Sequence, residues 1–150
     1  MGTGLGSKAV VEVSKDKSVR VDGLIIDSPF HSFEYAFKQM PNFYYYSSFF
    51  IDWPKLLDIA GLNFNVAENI AQIKCPVTIF HAKNDLIVSM EGSEKILEDA
   101  RKSGKANIKL IKFEKVGPEG NGHIGISKHE DFDQCVNNAV LEAHEYYKKL

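Results

Sequence analysis

The sequence has few of the residues that mark disulfide-bonded, metal-binding or membrane-spanning proteins. Its 150 residues contain two cysteines, Cys75 and Cys135, which are not spaced as metal ligands or as a redox pair. We expect two buried free thiols, and neither a metal nor another cofactor. No apolar run reaches the roughly 18 residues of a transmembrane helix, and the first residues do not have the pattern of a signal peptide.

An excess of positive charge is also missing. The chain has 18 Lys and Arg against 20 Asp and Glu, a formal net charge of −2. Without a basic excess, nucleic acid is not an expected partner. The 44% of hydrophobic residues and 11% of aromatic residues are usual for a folded domain. We therefore expect residues 1–150 to lie in one domain, and the sequence does not indicate its oligomeric state.

Three short apolar runs predict strands. Residues 21–26, 77–80 and 108–113 are mainly apolar, and turn residues follow them. Amphipathic segments between these runs predict crossover helices and hence a parallel sheet. Residues 3–15, with apolar positions at helical spacing, predict a first helix. The predicted class is α/β, with about three parallel strands and flanking helices.

Two later helices have clear signals in the sequence. Ser89 is a candidate N-cap for a helix that runs to about Ser103 and stops at Gly104. The last helix has apolar residues at positions i, i+3, i+4, i+7 and i+8, which form one face. These residues are Phe132, Cys135, Val136, Ala139, Val140, Ala143 and Tyr146 or Tyr147.

An aromatic-rich segment interrupts the strand and helix pattern. Eleven of the 17 aromatic residues fall within residues 30–53, and Pro41 and Pro54 divide the segment into short helices. A connection this long in a compact domain is usually functional, so residues of about 30–70 are predicted to form a lid or cap insertion. Its aromatic side chains fit either a cap packed on the core or a surface that meets an acyl chain or a membrane.

Asp85 and His123 are the candidate catalytic residues. Each follows a predicted strand, and functional groups of a parallel sheet gather past the carboxyl ends of its strands. A histidine can accept a nucleophile's proton while a carboxylate holds its tautomer. Gly120, Gly122 and Gly125 are expected to let the histidine loop project its ring. His81, at the end of the strand before Asp85, is a candidate to support this acid.

Three segments resemble one branch of the α/β-hydrolases. They are Met1-Gly-Thr-Gly, Asp22-Gly-Leu-Ile-Ile-Asp-Ser-Pro-Phe and Cys75-Pro-Val-Thr-Ile-Phe-His-Ala-Lys-Asn-Asp. Together they resemble the carboxyl-terminal half of the ABHD lipases, in particular the monoacylglycerol lipase and lysophosphatidylserine lipase group, type twelve. The resemblance implies that residues 1–150 are the carboxyl-terminal part of a single α/β-hydrolase domain, with a partial α/β-hydrolase fold.

The resemblance also implies a function. Such lipases are serine hydrolases of the endoplasmic reticulum membrane that cleave acyl esters of monoacylglycerols or lysophospholipids. A lipid ester is therefore the expected substrate, and a membrane surface is a further expected partner. Asp85 and His123 match the acid and histidine of the Ser-Asp-His triad, whose serine is expected directly before Met1. The oxyanion-hole donor then falls on Met1, and the chain by itself is expected to be inactive.

Other interpretations of the sequence stay open. The chain is also consistent with a non-catalytic, truncated isoform that binds lipid or a partner through its aromatic segment. An acyl-protein thioesterase or peptidase of the same fold would use the same triad. A different nucleophile within the chain is disfavoured, because Ser7, Ser28 and Ser127 do not lie in a Gly-x-Ser-x-Gly motif.

Overall fold

Four parallel strands form the sheet of a computed structural model, which describes residues 1–38, 46–61, 63–117, 122–123 and 125–149. The strands are β1 (Gly2–Thr3), β2 (Leu24–Asp27), β3 (Val77–Ala82) and β4 (Ile108–Phe113). They lie in the order β1-β2-β3-β4, and every neighbouring pair is parallel. The carboxyl ends of all four strands therefore meet at one edge of the sheet.

Strand β1 was not expected from the sequence. The sequence predicted about three strands, which correspond to β2, β3 and β4, and a first helix that starts at residue 3. Gly2 and Thr3 instead pair with Ile26 and Asp27 of β2, and the helix begins at Gly6. Two residues, one of them glycine, are too short to show the alternating pattern of a strand. The pairing partner that makes them a strand is 24 residues away, since Gly2 is aligned with Ile26.

The helices in the described part of the chain connect and follow the strands. They are α1 (Gly6–Lys15), α2 (Phe33–Lys38), α3 (Trp53–Ile59), α4 (Val66–Ala71), α5 (Met90–Lys102) and α6 (Phe132–Lys148), with a 3₁₀ turn at Ile126–Lys128. The two later helices confirm the prediction. Ser89 caps α5 by accepting a hydrogen bond from the Glu91 amide, and Gly104 follows α5 with a φ of 93°.

The two faces of the sheet carry separate hydrophobic clusters. Ile79 of β3 belongs to the cluster that includes buried residues of α1, α4 and α5. Phe80, the next residue, belongs to the cluster on the other face, where it packs against Phe132 of α6. Successive side chains of a strand point to opposite faces, so β3 is buried on both sides. This explains its continuous apolar run.

Val140 departs from the predicted buried face of α6. Ala139 and Ala143 of this helix are buried, but Val140 is 58% exposed. Its side chain borders a cleft of about 330 Å³ that is lined by β2 and α6. The spacing of apolar residues predicted the helix correctly, but it does not specify how wide a stripe the sheet covers.

The described part of the aromatic-rich segment contains short helices, as Pro54 suggested, and Pro41 lies outside the described residues. Pro54 lies in the first turn of α3, where a missing amide proton costs little. Phe50 is 91% exposed before this helix, whereas Val66 and Ile70 of α4 are buried in the core. Residues 39–45 lie outside the described residues, and the lid role of residues 30–70 stays a prediction. None of the described helices is both long enough and apolar enough to cross a membrane.

Candidate active site

Loops after β3 and β4 bring Asp85 and His123 into contact. Nδ1 of His123 lies 2.9 Å from Oδ2 of Asp85. The Asp85 side chain is fully buried, while that of His123 is 16% exposed. Because a carboxylate only accepts, Nδ1 carries the proton, and in the neutral ring Nε2 is the basic nitrogen. The sequence-predicted contact between these two side chains is present.

The turn after β3 also holds the other oxygen of Asp85. Its Oδ1 accepts hydrogen bonds from the amides of Ile87 and Val88, each at 2.8 Å. Burial disfavours the ionised carboxylate, but these amides and the hydrogen bonds from His81 and His123 outweigh burial and lower the pKa of Asp85 below its usual range. Asp85 is therefore an oriented anion at neutral pH.

The His81 side chain is buried next to Asp85, and both of its ring nitrogens have hydrogen-bond partners. Its Nε2 lies 2.9 Å from the carbonyl oxygen of Val88 and 3.4 Å from Oδ2 of Asp85. Both of these oxygens are acceptors, so Nε2 carries the ring proton, and Nδ1 accepts from the Ser93 hydroxyl at 2.6 Å. The support for Asp85 that the position of His81 suggested is present.

Asn84 joins the Asp85 turn to the segment that follows β4. Its side-chain oxygen accepts from the Val116 amide at 3.0 Å, and its Nδ2 donates to the Val116 carbonyl at 2.9 Å. The Gly122 amide donates to the Asn84 carbonyl at 3.1 Å. The sequence gives no signal for these contacts of Asn84, because its partners lie more than 30 positions away.

Gly122 allows the His123 loop to approach the Asp85 turn. A Cβ on Gly122 would lie 2.6 Å from Oδ1 of Asn84 and 2.8 Å from the Asp85 nitrogen. The predicted reason for glycine here was conformational freedom, but the observed reason is close approach. Gly125 does have a positive φ, of 113°. Gly120 lies outside the described residues.

Gly122→Ala is therefore expected to separate His123 from Asp85. The new methyl group would overlap backbone atoms of residues 84 and 85, which cannot rotate away, so we expect a loss of about 1–3 kcal/mol in unfolding free energy. Urea denaturation measures the loss, and the ¹H NMR signal of the hydrogen-bonded Nδ1 proton reports the contact. Gly6→Ala is the matched control, since a Cβ at Gly6 has no atom within 4 Å. An unchanged Nδ1 signal in a Gly122→Ala protein would contradict this role.

Gly4, in the turn after β1, lies on the other side of the His123 ring. A Cβ on Gly4 would lie 3.4 Å from Nε2 of His123, and Gly4 has a φ of 52°. Its amide continues the sheet by donating to the Asp27 carbonyl at 2.9 Å. Met1, the predicted oxyanion-hole residue, precedes β1 and lies on the amino-terminal side of that strand. The structure therefore brings Gly4 to the histidine, and the oxyanion-hole role of Met1 stays a prediction.

Comparisons with known proteins found similar sequences among lipases. The chain is 30% identical over 122 residues to lysophosphatidylserine lipase ABHD12 of Danio rerio, covering 75% of this chain and 30% of that protein. It is 29% identical over 105 residues to the lipase of the same name from Macaca fascicularis, covering 64% of this chain and 25% of the relative. The chain thus spans less than a third of these relatives. No model of a protein family matches it.

Solved structures with a similar backbone are hydrolases. The Pyrococcus furiosus esterase Pf2001 has a TM-score of 0.61 at 16% identity, with 93% of this chain and 51% of that chain covered. An α/β-fold hydrolase of Bacillus anthracis has a TM-score of 0.58 at 17% identity, with 92% and 65% covered. The chain has the α/β-hydrolase fold. The predicted fold class is confirmed, with one strand more than predicted.

In an α/β-hydrolase fold, the acid and the histidine follow the nucleophile in chain order, each after a strand. Asp85 follows β3 and His123 follows β4. The arrangement can take a proton at Nε2 and stabilise the resulting imidazolium through the Asp85 carboxylate. The catalytic roles of the two residues stay a prediction.

Asp27 is a further acid at this edge of the α/β-hydrolase sheet. It is buried, and its two oxygens accept from the Ser28 hydroxyl at 3.0 Å and the Thr3 hydroxyl at 3.5 Å. Burial raises the pKa of Asp27, although these hydroxyls and the two nearby histidines favour its charge. The sequence marked Asp27 only as the end of a strand. Its proximity to His123 depends on pairing between strands, which no local pattern contains.

A cleft of about 510 Å³ opens beside Asp85. Asp85 itself and the following residues through Gly92 line one side, and Phe30, His31 and Tyr35 line the other. Leu86 and Ile87 on its rim are 80% and 51% exposed, so an apolar wall is open to solvent. The volume is in the range of small-molecule sites. The cleft shares no lining residue with the cleft beside Val140.

Proposed function

We propose that this chain carries the acid and the histidine of a serine-hydrolase site for acyl esters of monoacylglycerols or lysophospholipids. The observation that carries the proposal is the 2.9 Å contact between His123 Nδ1 and Asp85, which leaves Nε2 as the proton acceptor. The similarity to lysophosphatidylserine lipases supports the substrate class. With glycine beside Nε2, we expect the chain as given to bind such esters without cleaving them.

The acyl chain is proposed to lie in the cleft beside Asp85. Its apolar lining includes Phe30, Leu86, Ile87 and Met90, and a lipid tail is favoured there because its burial removes apolar surface from water. The cleft reaches Asp85, so an ester at its inner end would lie close to the histidine.

A membrane surface is the proposed source of the lipid. Tyr46, Phe49 and Phe50 are at least two-thirds exposed, and Ile59 of the neighbouring helix α3 is 74% exposed. Exposed aromatic and aliphatic side chains that cluster in one segment favour contact with the acyl–headgroup boundary. The endoplasmic reticulum as the location stays a prediction from the sequence resemblance.

Binding of a non-hydrolysable substrate analogue tests the proposal. Short-chain 1-O-alkyl ethers of lysophosphatidylserine and of glycerol retain the tail and the head group but cannot be cleaved. They are expected to bind with saturation at micromolar concentrations, measured by isothermal titration calorimetry. Ester versions of the same lipids are expected to bind without release of fatty acid.

Ile87→Asp is expected to weaken this binding about tenfold or more, because it places a charge on the apolar wall. Leu141→Asp is the matched control, since Leu141 is 60% exposed on α6 and does not line this cleft. The proposal fails if neither ether binds, or if Ile87→Asp and Leu141→Asp behave alike. Preferential binding of an N-acetyl peptide or a thioester analogue would favour the peptidase or thioesterase alternative.

A further inference from the structure

The turn between β1 and α1 has the shape on which an α/β-hydrolase carries its nucleophile. Such a nucleophile lies at the centre of Gly-x-Ser-x-Gly, on a sharp turn from a strand into a helix. Here Gly2-Thr3-Gly4-Leu5-Gly6 has the same spacing, with Gly4 at the centre. Strand β1 ends at Thr3, α1 begins at Gly6, and Gly4 has a φ of 52°.

The outer glycines of this motif are in close contact. A Cβ on Gly2 would lie 2.6 Å from the Gly6 carbonyl oxygen and 2.6 Å from Cγ2 of Val10. No side chain fits at Gly2, so the strand and the helix can approach this closely only with glycine there. The first glycine of the motif therefore has a steric reason to be present.

Gly4, by contrast, has room for a side chain. The nearest atoms to a Cβ at this position are Nε2 and Cε1 of His123, at 3.4 and 3.6 Å, and Cε2 of Phe30, at 4.0 Å. These are ordinary van der Waals distances. A side chain at a φ of 52° is strained, as is the nucleophile turn of an α/β-hydrolase. The direction of this Cβ is towards the nitrogen of His123 that accepts a proton.

We propose that Gly4 occupies the nucleophile position of this site, and that a hydroxyl at residue 4 completes a triad with His123 and Asp85. The amide of Leu5, the residue after the nucleophile position, then takes the role of oxyanion donor. It lies at the amino end of α1, where backbone amides have no partner within the helix and the helix dipole favours negative charge. This assignment replaces two sequence-based expectations, the serine directly before Met1 and the oxyanion donor at Met1, and it rests on the proposed function.

Two serines of the chain are held by other partners. The Ser28 hydroxyl is fully buried and donates to Oδ1 of Asp27 at 3.0 Å. The Ser7 hydroxyl is buried in α1 and donates to the Gly2 carbonyl at 3.2 Å. Position 4 is the place where the turn, the space and the direction towards Nε2 coincide.

The chemistry follows for a Gly4→Ser protein. The new hydroxyl oxygen attacks the carbonyl carbon of the ester while its proton moves to Nε2 of His123. The bond from the acyl carbon to the alcohol oxygen then breaks, and the alcohol leaves with that proton. Water then attacks the acyl carbon and gives a proton to Nε2. The bond from the acyl carbon to the serine oxygen breaks, the serine oxygen takes that proton from Nε2, and the fatty acid leaves. A fluorophosphonate reacts at the same oxygen: an O–P bond forms, the P–F bond breaks and fluoride leaves.

The test compares fluorophosphonate labelling of the wild-type and Gly4→Ser proteins, with mass spectrometry of the labelled peptide. We expect labelling of Gly4→Ser at residue 4 and hydrolysis of a 4-nitrophenyl ester on the order of 10³-fold above the wild type. Gly6→Ser is the matched control, because a Cβ at Gly6 meets no atom within 4 Å and so places a hydroxyl away from His123. Circular dichroism and thermal unfolding establish that each variant is folded.

Each outcome decides the proposal. A folded Gly4→Ser protein that reacts no faster than Gly6→Ser overturns it, and so does labelling of the wild type at Ser28 or Ser7. If Gly4→Ser does not fold, Gly4→Cys reports on the same position through alkylation of its thiol by iodoacetamide. A rate that exceeds that of Gly6→Cys about tenfold, and that falls when His123 is also replaced, supports the proposal. Equal rates overturn it, and failure of both variants to fold overturns it too, because a nucleophile position must accept a side chain.

Failure of this inference and failure of the proposed function are distinguishable. If the ether lipids bind but Gly4→Ser is unreactive, the lipid site stands and the assignment of Gly4 falls. If Gly4→Ser is labelled but the ether lipids do not bind, residue 4 is the nucleophile position and the substrate class is wrong.

Discussion

In the Gly4→Ser protein, replacement of His123 by alanine is expected to return fluorophosphonate labelling and ester hydrolysis to the wild-type background. A serine hydroxyl with no base beside it stays protonated at neutral pH and is a poor nucleophile. In serine hydrolases, loss of the histidine lowers kcat on the order of 10⁶-fold, so the observable loss here is the whole gain from Gly4→Ser. Rates with a 4-nitrophenyl ester measure it.

His144→Ala in the same Gly4→Ser protein is the control for this loss. His144 lies exposed on α6, and its removal is expected to leave kcat unchanged within about twofold. If the protein with alanine at position 123 kept most of the gained activity, another group would be taking the proton. The assignment of His123 as the base would then be wrong.

The second large effect is expected for Asp85→Asn, again in the Gly4→Ser protein. Oδ1 of Asp85 accepts from two amides, so the asparagine oxygen would stay there and its amide nitrogen would face Nδ1 of His123. That nitrogen donates, which forces the proton of the neutral imidazole onto Nε2, where it blocks the proton transfer. A wrong tautomer of this kind lowers kcat about 10⁴-fold with the remaining geometry intact, which is more than the gain of about 10³-fold from Gly4→Ser, so most or all of that gain is expected to disappear.

Steady-state kinetics separate this effect from a loss of binding. We expect kcat to fall while KM changes little, because Asp85 is fully buried and acts through His123. Asp58→Asn, an exposed change on α3, is the matched control and should alter neither constant. A rise confined to KM, with kcat unchanged, would contradict the role of Asp85 as the group that holds the histidine tautomer.

The two candidate catalytic residues were predictable because their signals are local. Asp85 and His123 each follow an apolar run that reads as a strand, and parallel strands place such positions at one edge. The residues that hold the pair together carry no such signal. Asn84 had no assigned role, and Gly122 was expected to give freedom to the loop and not close approach, since their partners lie 32 and 38 positions away in the chain.

The aromatic-rich segment also has features that local sequence patterns do not predict. Its prolines predicted short helices, and α3 does begin around Pro54. Composition did not separate the exposed Phe50 from the buried Ile70 of α4, because both are apolar residues of one connection. Which of them meets the core depends on where α1 and α5 leave space, and that is decided by packing.

By itself, the sequence determined the α/β class, the helices α5 and α6, and the two strand ends that carry Asp85 and His123. Hydrophobic periodicity, caps and turn residues act over a few positions, and a sequence displays them directly. Only the tertiary structure decided that Gly2 and Thr3 form a strand and that Gly4 faces Nε2 of His123. A two-residue strand exists through hydrogen bonds to a neighbour far along the chain, so its place in the site follows from pairing.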